Sequence, residues 1–255
     1  MRASVTTCWV PRGGSEVEQF EDAFAPRANG PRHARRLRFA MADGAGESML
    51  SGLWADLLVR TWCKARRRPL AQVLSTAAAS WEVELAAYLE ERERSERPVQ
   101  WFEEPGLERG AFATLLGLAF TTGAGSSQGE WQAVSVGDTC LFQVRGDELL
   151  AAFPIKSSSE FDSAPKLVPS RIDDLGRVLS HVDEDRGDWR TGDVFFLATD
   201  AVGAWFLRAH EEGTPPWRVL DRFARPGTFP VWVEARRAER ALRNDDATVM
   251  RVEVT

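Results

Sequence analysis

Four short stretches place carboxylates where an apolar run ends or begins: QFEDAF (19–24), FAMADG (39–44), FFLATD (195–200) and NDDATV (244–249). The residues concerned are Glu21, Asp22, Asp43, Asp200, Asp245 and Asp246. Carboxylates at strand ends can converge on one rim of a sheet, where they repel one another strongly unless a cation sits among them. All-oxygen donors of this kind suit hard cations such as Mg²⁺ or Mn²⁺. Taken singly, Asp before Gly reads as a turn and Asp at a helix start as a cap. The recurrence of the same strand context along the chain is what points to a shared site.

The elements that must position these residues follow from periodicity. Met49, Leu50, Leu53, Trp54, Leu57, Leu58 and Trp62 recur at three- and four-residue steps, which predicts a helix over 46–62. A second helix is expected over 70–94, with Leu70, Val73, Leu74, Ala77, Trp81, Leu85, Tyr88 and Leu89 on one face and a charged end before Pro98. Two successive helices form an antiparallel hairpin. The segments 111–120 and 131–144 read as strands of a meander, joined by the turn-prone TTGAGSSQGE (121–130), and Arg145-Gly146-Asp147 reads as a turn into the next strand. A polar, irregular flap is expected over 156–192, then a buried strand ending at Asp200, helical patterns through much of 201–243, and a final strand in which Met250, Val252 and Val254 alternate.

With 255 residues, 44% of them hydrophobic, one domain spanning 1–255 is expected. A formal charge of −6 carries no general footprint for nucleic acid, despite basic clusters at Pro31–Arg38 and Lys64–Arg68. No run approaches the roughly 18 apolar residues of a spanning helix, and MRASVTTCWVPRGG lacks the pattern of a cleaved leader, so no membrane role is expected. Cys8, Cys63 and Cys140 lie far apart in apolar surroundings, as buried thiols of a reducing compartment do, and a cytoplasmic location is the default. Most of the ten tryptophans read as core, and His33, His181 and His210 as surface or cap residues.

The ordered series ED, ADG before a helix, Gly137-Asp138, TD after a buried strand and DDAT before a final strand resembles the protein phosphatase 2C family over almost the whole chain, from about Glu21 to Val254. The resemblance implies an α+β fold, a four-layer α-β-β-α sandwich of two antiparallel sheets flanked by helix pairs, with metals at one edge. It implies a first ion on Asp43, Asp200 and Asp245, and a second on Asp43 and the carbonyl of Gly44. Glu21 and Asp22 would hold the surrounding waters, and Asp138 a third, weaker ion. Two Mg²⁺ or Mn²⁺ ions lower the pKa of the water between them and neutralise the phosphoryl oxygens, so a phosphomonoester is hydrolysed without a covalent enzyme intermediate.

The pattern departs from the family at three places. The arginine expected four residues before Glu21 is Val17, and Arg12 is the nearest upstream replacement for gripping phosphate. Ala201 follows Asp200 in place of glycine, and Ala45 stands where some members carry a histidine. The resemblance thus implies a metal-dependent phosphatase of phosphoserine and phosphothreonine in proteins, paired with a cognate serine/threonine kinase. The alternative is a weak or inactive phosphatase-like module that binds phosphoproteins. The run PRHARRLR reads as a solvated loop leading into a strand, with a dock for phosphorylated segments as the other option.

Overall fold

The computed structural model describes residues 1–66, 68–122, 127–161, 164–224 and 226–255. Residues 123–126 of the expected turn, 162–163 of the expected flap and Arg67 of the second basic cluster thus lie outside the described residues. In chain order the elements are β1 (Arg2–Val10), β2 (Ala23–Ala25), β3 (Gly30–His33), β4 (Arg36–Ala42), α1 (Ser51–Lys64), α2 (Leu70–Arg94) and α3 (Glu104–Arg109). There follow β5 (Phe112–Ala113), β6 (Leu115–Thr122), β7 (Gln128–Val136), β8 (Cys140–Arg145), β9 (Glu148–Phe153), β10 (Val168–Pro169), α4 (Leu175–Leu179) and β11 (Asp183–Arg190). The chain ends with β12 (Val194–Ala198), α5 (Asp200–Glu211), α6 (Pro216–Leu220), α7 (Phe229–Ala238) and β13 (Ala247–Val254).

Two antiparallel sheets face each other, one in the order β3-β1-β13-β12-β8-β9 and the other β11-β7-β6-β4-β2. Strand alternation explains the layering, because successive side chains point to opposite faces. In β12 Phe195 and Leu197 enter the core between the sheets, while Phe196 and Ala198 turn outward to meet Phe206 of α5 and Phe229 of α7. In β4 Leu37, Phe39 and Met41 face the other sheet, and Ala40 and Ala42 face outward beneath α1 and α2. Both faces of these strands are buried, so β12 reads as a continuous apolar run. Trp54, Trp62 and Trp81 seal the outer layer of α1 and α2, each large side chain contributing about 1.5–3 kcal/mol by leaving water. The α-β-β-α sandwich expected above is therefore the fold.

Four local readings change. The first helix begins at Ser51, five residues later than expected, because Leu50 takes a left-handed φ of 62°; Met49 and Leu50 still pack on the same core from the preceding turn, which extends the apolar stripe past the helix. Residues 2–10, read above only for the lack of a leader, form an inner strand between β13 and β3. Part of the 156–192 excursion is regular, since Asp183–Arg190 pairs along its length with β7 as an edge strand. Gly137 and Asp138 lie in the turn between β7 and β8, not within a strand. Most tryptophans are buried, as expected, while Trp9 and Trp101 are exposed.

Candidate active site

The antiparallel register gathers the acidic positions. Asp200 follows the C-terminal end of β12, and Asp245 and Asp138 precede the N-terminal ends of its two neighbours, β13 and β8. In the facing sheet Asp43 follows the end of β4, and Asp22 precedes β2, its antiparallel neighbour. Neighbouring antiparallel strands begin where the other ends, so each sheet delivers its carboxylates to one rim.

Asp22 joins the two rims. Its Oδ2 accepts hydrogen bonds from Thr248 Oγ1 (2.7 Å) and Thr199 Oγ1 (3.0 Å), one on β13 and one between β12 and α5, while Oδ1 is buried without a partner. Asp43 is fixed through its main chain: its N–H donates to Thr114 Oγ1 (2.8 Å) and its carbonyl accepts from Thr114 N–H (2.8 Å). Its carboxylate is thereby left to the cluster. Gly44 has no room for a side chain, since a Cβ there would lie 2.8 Å from the Glu21 carbonyl and 2.9 Å from Ser51 Cβ. Glu21 accepts a short hydrogen bond from Ser51 Oγ through Oε1. Asp200 opens α5, with Oδ2 3.5 Å from Arg243 Nη1 and Oδ1 buried and unpartnered.

Electrostatics shows that these groups feel one another. Burial raises Asp43 well above the ordinary carboxylate range, and the charges of Asp22, Asp200, Asp245 and Asp138 add to it. Asp200 is pushed up to about 7 by burial, then by Asp138 and Asp245. Asp22 is likewise raised, by burial first, against the opposing hydrogen bond from Thr248. Burial also raises Glu21, which Asp246 and Asp245 push the same way and Arg12 opposes. Burial and mutual repulsion of this kind favour a cation in place of the protons. Among the described residues no three His, Cys, Asp or Glu side chains already form a metal-ligand group. Two orphaned carboxylate oxygens inside a ring of like charges nevertheless fit the demand of a hard, oxygen-loving cation.

Arg12 reaches this rim. An ideal Cβ on Gly46 would lie 3.0 Å from Glu21 Oε2 and 3.7 Å from Arg12 Nη1, which puts the guanidinium beside the loop after Asp43. Ser15 Oγ accepts from its Nε at 2.9 Å. Val17 stands on a short 3-10 turn and is 58% exposed. Sequence reasoning assigned no role to Asp246, which is buried and accepts from the backbone N–H of Arg12 (2.8 Å) and Glu21 (2.7 Å). It fastens the N-terminal loop to the start of β13. Arg237 was missed as well; its guanidinium donates to the carbonyls of Pro11 and Asp245 and holds the exposed Asp245 at the rim. The doubled Asp of NDDATV was the available signal for Asp246; none marked Arg237.

No protein-family model matches the chain, and no curated protein sequence matches it. Solved structures do resemble it along its length. The photosystem II phosphatase PBCP aligns with a TM-score of 0.57 at 14% identity over 99% of each chain. The serine/threonine phosphatase PstP/Ppp of Mycobacterium tuberculosis aligns at 0.54 and 17% identity, covering 100% of this chain and 99% of that one. RsbX in complex with magnesium aligns at 0.52 and 13% identity, over 100% and 96%. The chain therefore has the fold of the protein phosphatase 2C-type serine/threonine phosphatases.

Proposed function

We propose that the protein is a Mg²⁺- or Mn²⁺-dependent phosphatase that hydrolyses phosphoserine and phosphothreonine in a phosphorylated protein, opposing a cognate serine/threonine kinase in the cytoplasm. The observation that carries this reading is the convergence of Asp22, Asp43, Asp138, Asp200 and Asp245, with buried, unpartnered oxygens on Asp22 and Asp200. On this reading Asp43, Asp200, Asp245 and the carbonyl of Gly44 would hold the ions, with Asp138 serving a further, weaker one, and Glu21 and Asp22 would order the water around them. When bound, the ions supply a water of lowered pKa and neutralise phosphoryl charge.

The protein's own groups do the positioning. Thr114 fixes the backbone of Asp43, Asp22 clamps Thr199 and Thr248, and Ser51 holds Glu21, so the carboxylates are presented from strand ends with little freedom. Arg12, beside Glu21 and Gly46, would pair with the substrate phosphate, for which a planar guanidinium is well suited.

The test is hydrolysis of p-nitrophenyl phosphate and of phosphoserine peptides with Mg²⁺, with Mn²⁺ and with chelator. Metal-dependent turnover that Asp43→Ala and Asp200→Ala abolish is expected. Full activity in either variant refutes the mechanism. Calorimetry showing no metal binding at millimolar concentration supports instead a non-catalytic phosphoprotein-binding module, a reading favoured by Val17 and Ala201 at positions where the family carries arginine and glycine.

A further inference from the structure

Arg36 and Arg38 of the first basic run and Arg66 and Arg68 of the second, which the proposed chemistry does not use, come together on the outer face of the five-stranded sheet. There Arg36, Arg38, Arg66, Arg68 and Arg186 line one groove of about 730 Å³. Its floor is a single cross-strand row in which Arg38 pairs with Ala119, Ala119 with Gln132, and Gln132 with Arg186. Two arginines thus stand at the ends of a row whose middle positions are an alanine and a glutamine. Three strand spacings separate them by about 14 Å.

The cationic end is built rather than incidental. The carbonyl of Arg66 accepts from Arg36 Nη1 (3.3 Å) and from Arg38 Nη1 (2.5 Å), and Arg66 adopts a left-handed φ of 35°. That conformation is strained for a non-glycine residue. The Arg38 guanidinium lies 3.8 Å over the Trp62 ring, a cation–π contact. Trp62 in turn lies flat on Gly117, where a Cβ would fall 2.4 Å from the ring. Among the described residues none of the five arginines is in an ion pair, although Arg60, Arg145, Arg218 and Arg251 elsewhere all are. Glu184 and Asp185 on the same groove leave the arginines in clear excess.

We propose that this groove docks an acidic, Asp- and Glu-rich peptide segment of a partner protein. One small anion cannot bridge the row, whereas an extended chain spans about 14 Å in four residues and can set carboxylates against both ends. A single-stranded nucleic acid would need an open aromatic face for its bases, and the Trp62 face is already covered by Arg38. The groove lies at the opposite end of β4 from Asp43, five residues or roughly 17 Å away, so a docked segment leaves the carboxylate rim open.

The experiment is fluorescence anisotropy on the whole protein in chelator, with a labelled Glu-rich decapeptide and its Gln counterpart. Selective binding of the Glu peptide is expected, weakened at least tenfold by Arg68→Glu/Arg186→Glu, both exposed positions, and weakened by salt. The same double variant should keep its melting temperature and whatever p-nitrophenyl phosphate turnover the parent has, so docking and catalysis are judged separately. Equal affinity for the Gln peptide, unchanged affinity in the double variant, or tighter binding to a single-stranded oligonucleotide or to anionic vesicles overturns the proposal.

Discussion

Gly44→Ala adds one methyl group to the centre of the acidic rim. The new Cβ would lie 2.8 Å from the Glu21 carbonyl oxygen, 2.9 Å from the Ser51 carbonyl carbon and 2.9 Å from Ser51 Cβ. Carbon contacts are comfortable at about 3.5–4.0 Å, so three atoms must each give by roughly 0.6 Å or more. None is the free end of a flexible side chain. Gly44 is bridged to Ala113, and the adjacent Ala45 N–H donates to the Phe112 carbonyl (2.9 Å), so the loop cannot simply swing away. Overpacking of this kind costs about 1–3 kcal/mol, which for a chain of this size lowers the melting temperature by about 2–12 °C. The displaced groups include the Glu21–Ser51 hydrogen bond, so metal affinity should fall by about 10–100-fold. Gly46→Ala is the control: its Cβ meets only the ends of Glu21 and Arg12, at 3.0 and 3.7 Å, and stability should hold within about 0.5 kcal/mol. Differential scanning calorimetry and Mn²⁺ titration of both variants decide the matter. Parental melting temperature and metal affinity in Gly44→Ala would refute the reasoning about the tight rim.

Three further outcomes are expected. Asp193 is fully buried and accepts from Arg145 Nε (2.7 Å) and Nη2 (2.8 Å), from Gln143 Nε2 (2.9 Å) and from the Arg190 N–H (3.0 Å). Asp193→Ala strands all of these donors and should cost about 3–5 kcal/mol in urea denaturation; a loss below 1 kcal/mol would contradict it. Arg12→Gln should raise KM for p-nitrophenyl phosphate about tenfold, with a smaller change in kcat, and unchanged kinetics would remove Arg12 from the phosphate site. In chelator, stability should decline as pH rises from about 4 to 7. Asp200 is raised in the folded state to about 7 from its ordinary 3.8, so the native state binds the proton more tightly and loses that advantage as the unfolded chain ionises first, by roughly 4 kcal/mol at most. Asp22 and Asp43, also raised, act in the same direction. Saturating Mg²⁺ or Mn²⁺ should flatten the slope, since a cation stabilises the ionised form; denaturation midpoints across pH 5–8 that do not move in chelator would count against the cluster.

What the sequence disclosed depended on whether a signal was local. The helix α2 and the final strand were readable because their burial follows one period over many residues. Helix α1 was misplaced at its start because Met49 and Leu50 continue the stripe from a turn, which spacing alone does not distinguish from a helix. Strand β11 was hidden by its composition: DEDRGDWR looks like a solvated loop, yet charges are what an exposed sheet edge carries. Strand β1 was hidden for the opposite reason, since its inward residues Ala3 and Val5 are small and Thr6 and Thr7 interrupt the apolar pattern.

The same distinction runs through the two sites. The carboxylates from Glu21 to Asp246 could be singled out because each lies where an apolar run meets an acid, and the choice of Asp43, Asp200 and Asp245 among them rests on the family resemblance. What Asp246 does instead could not be read, because adjacent residues at a strand's start face opposite ways and the pairing of Ala247 with Val10 settles which turns inward. Arg12 could be named as a substitute for the absent arginine at Val17, but its position beside Gly46 depends on the contact of its backbone with Asp246. The arginine groove is the extreme case: Arg38, Ala119, Gln132 and Arg186 share no local pattern and become neighbours only through three strand registers. Strand β4 carries both sites because its outward residues are arginine at one end and alanine at the other. The alanines admit the helix layer up to the Asp43 rim, and the arginines stand where Trp62 ends that cover. Replacing Ala40 with a bulky residue should therefore disturb α1 and the carboxylate rim while leaving Arg38 and Arg186 in register.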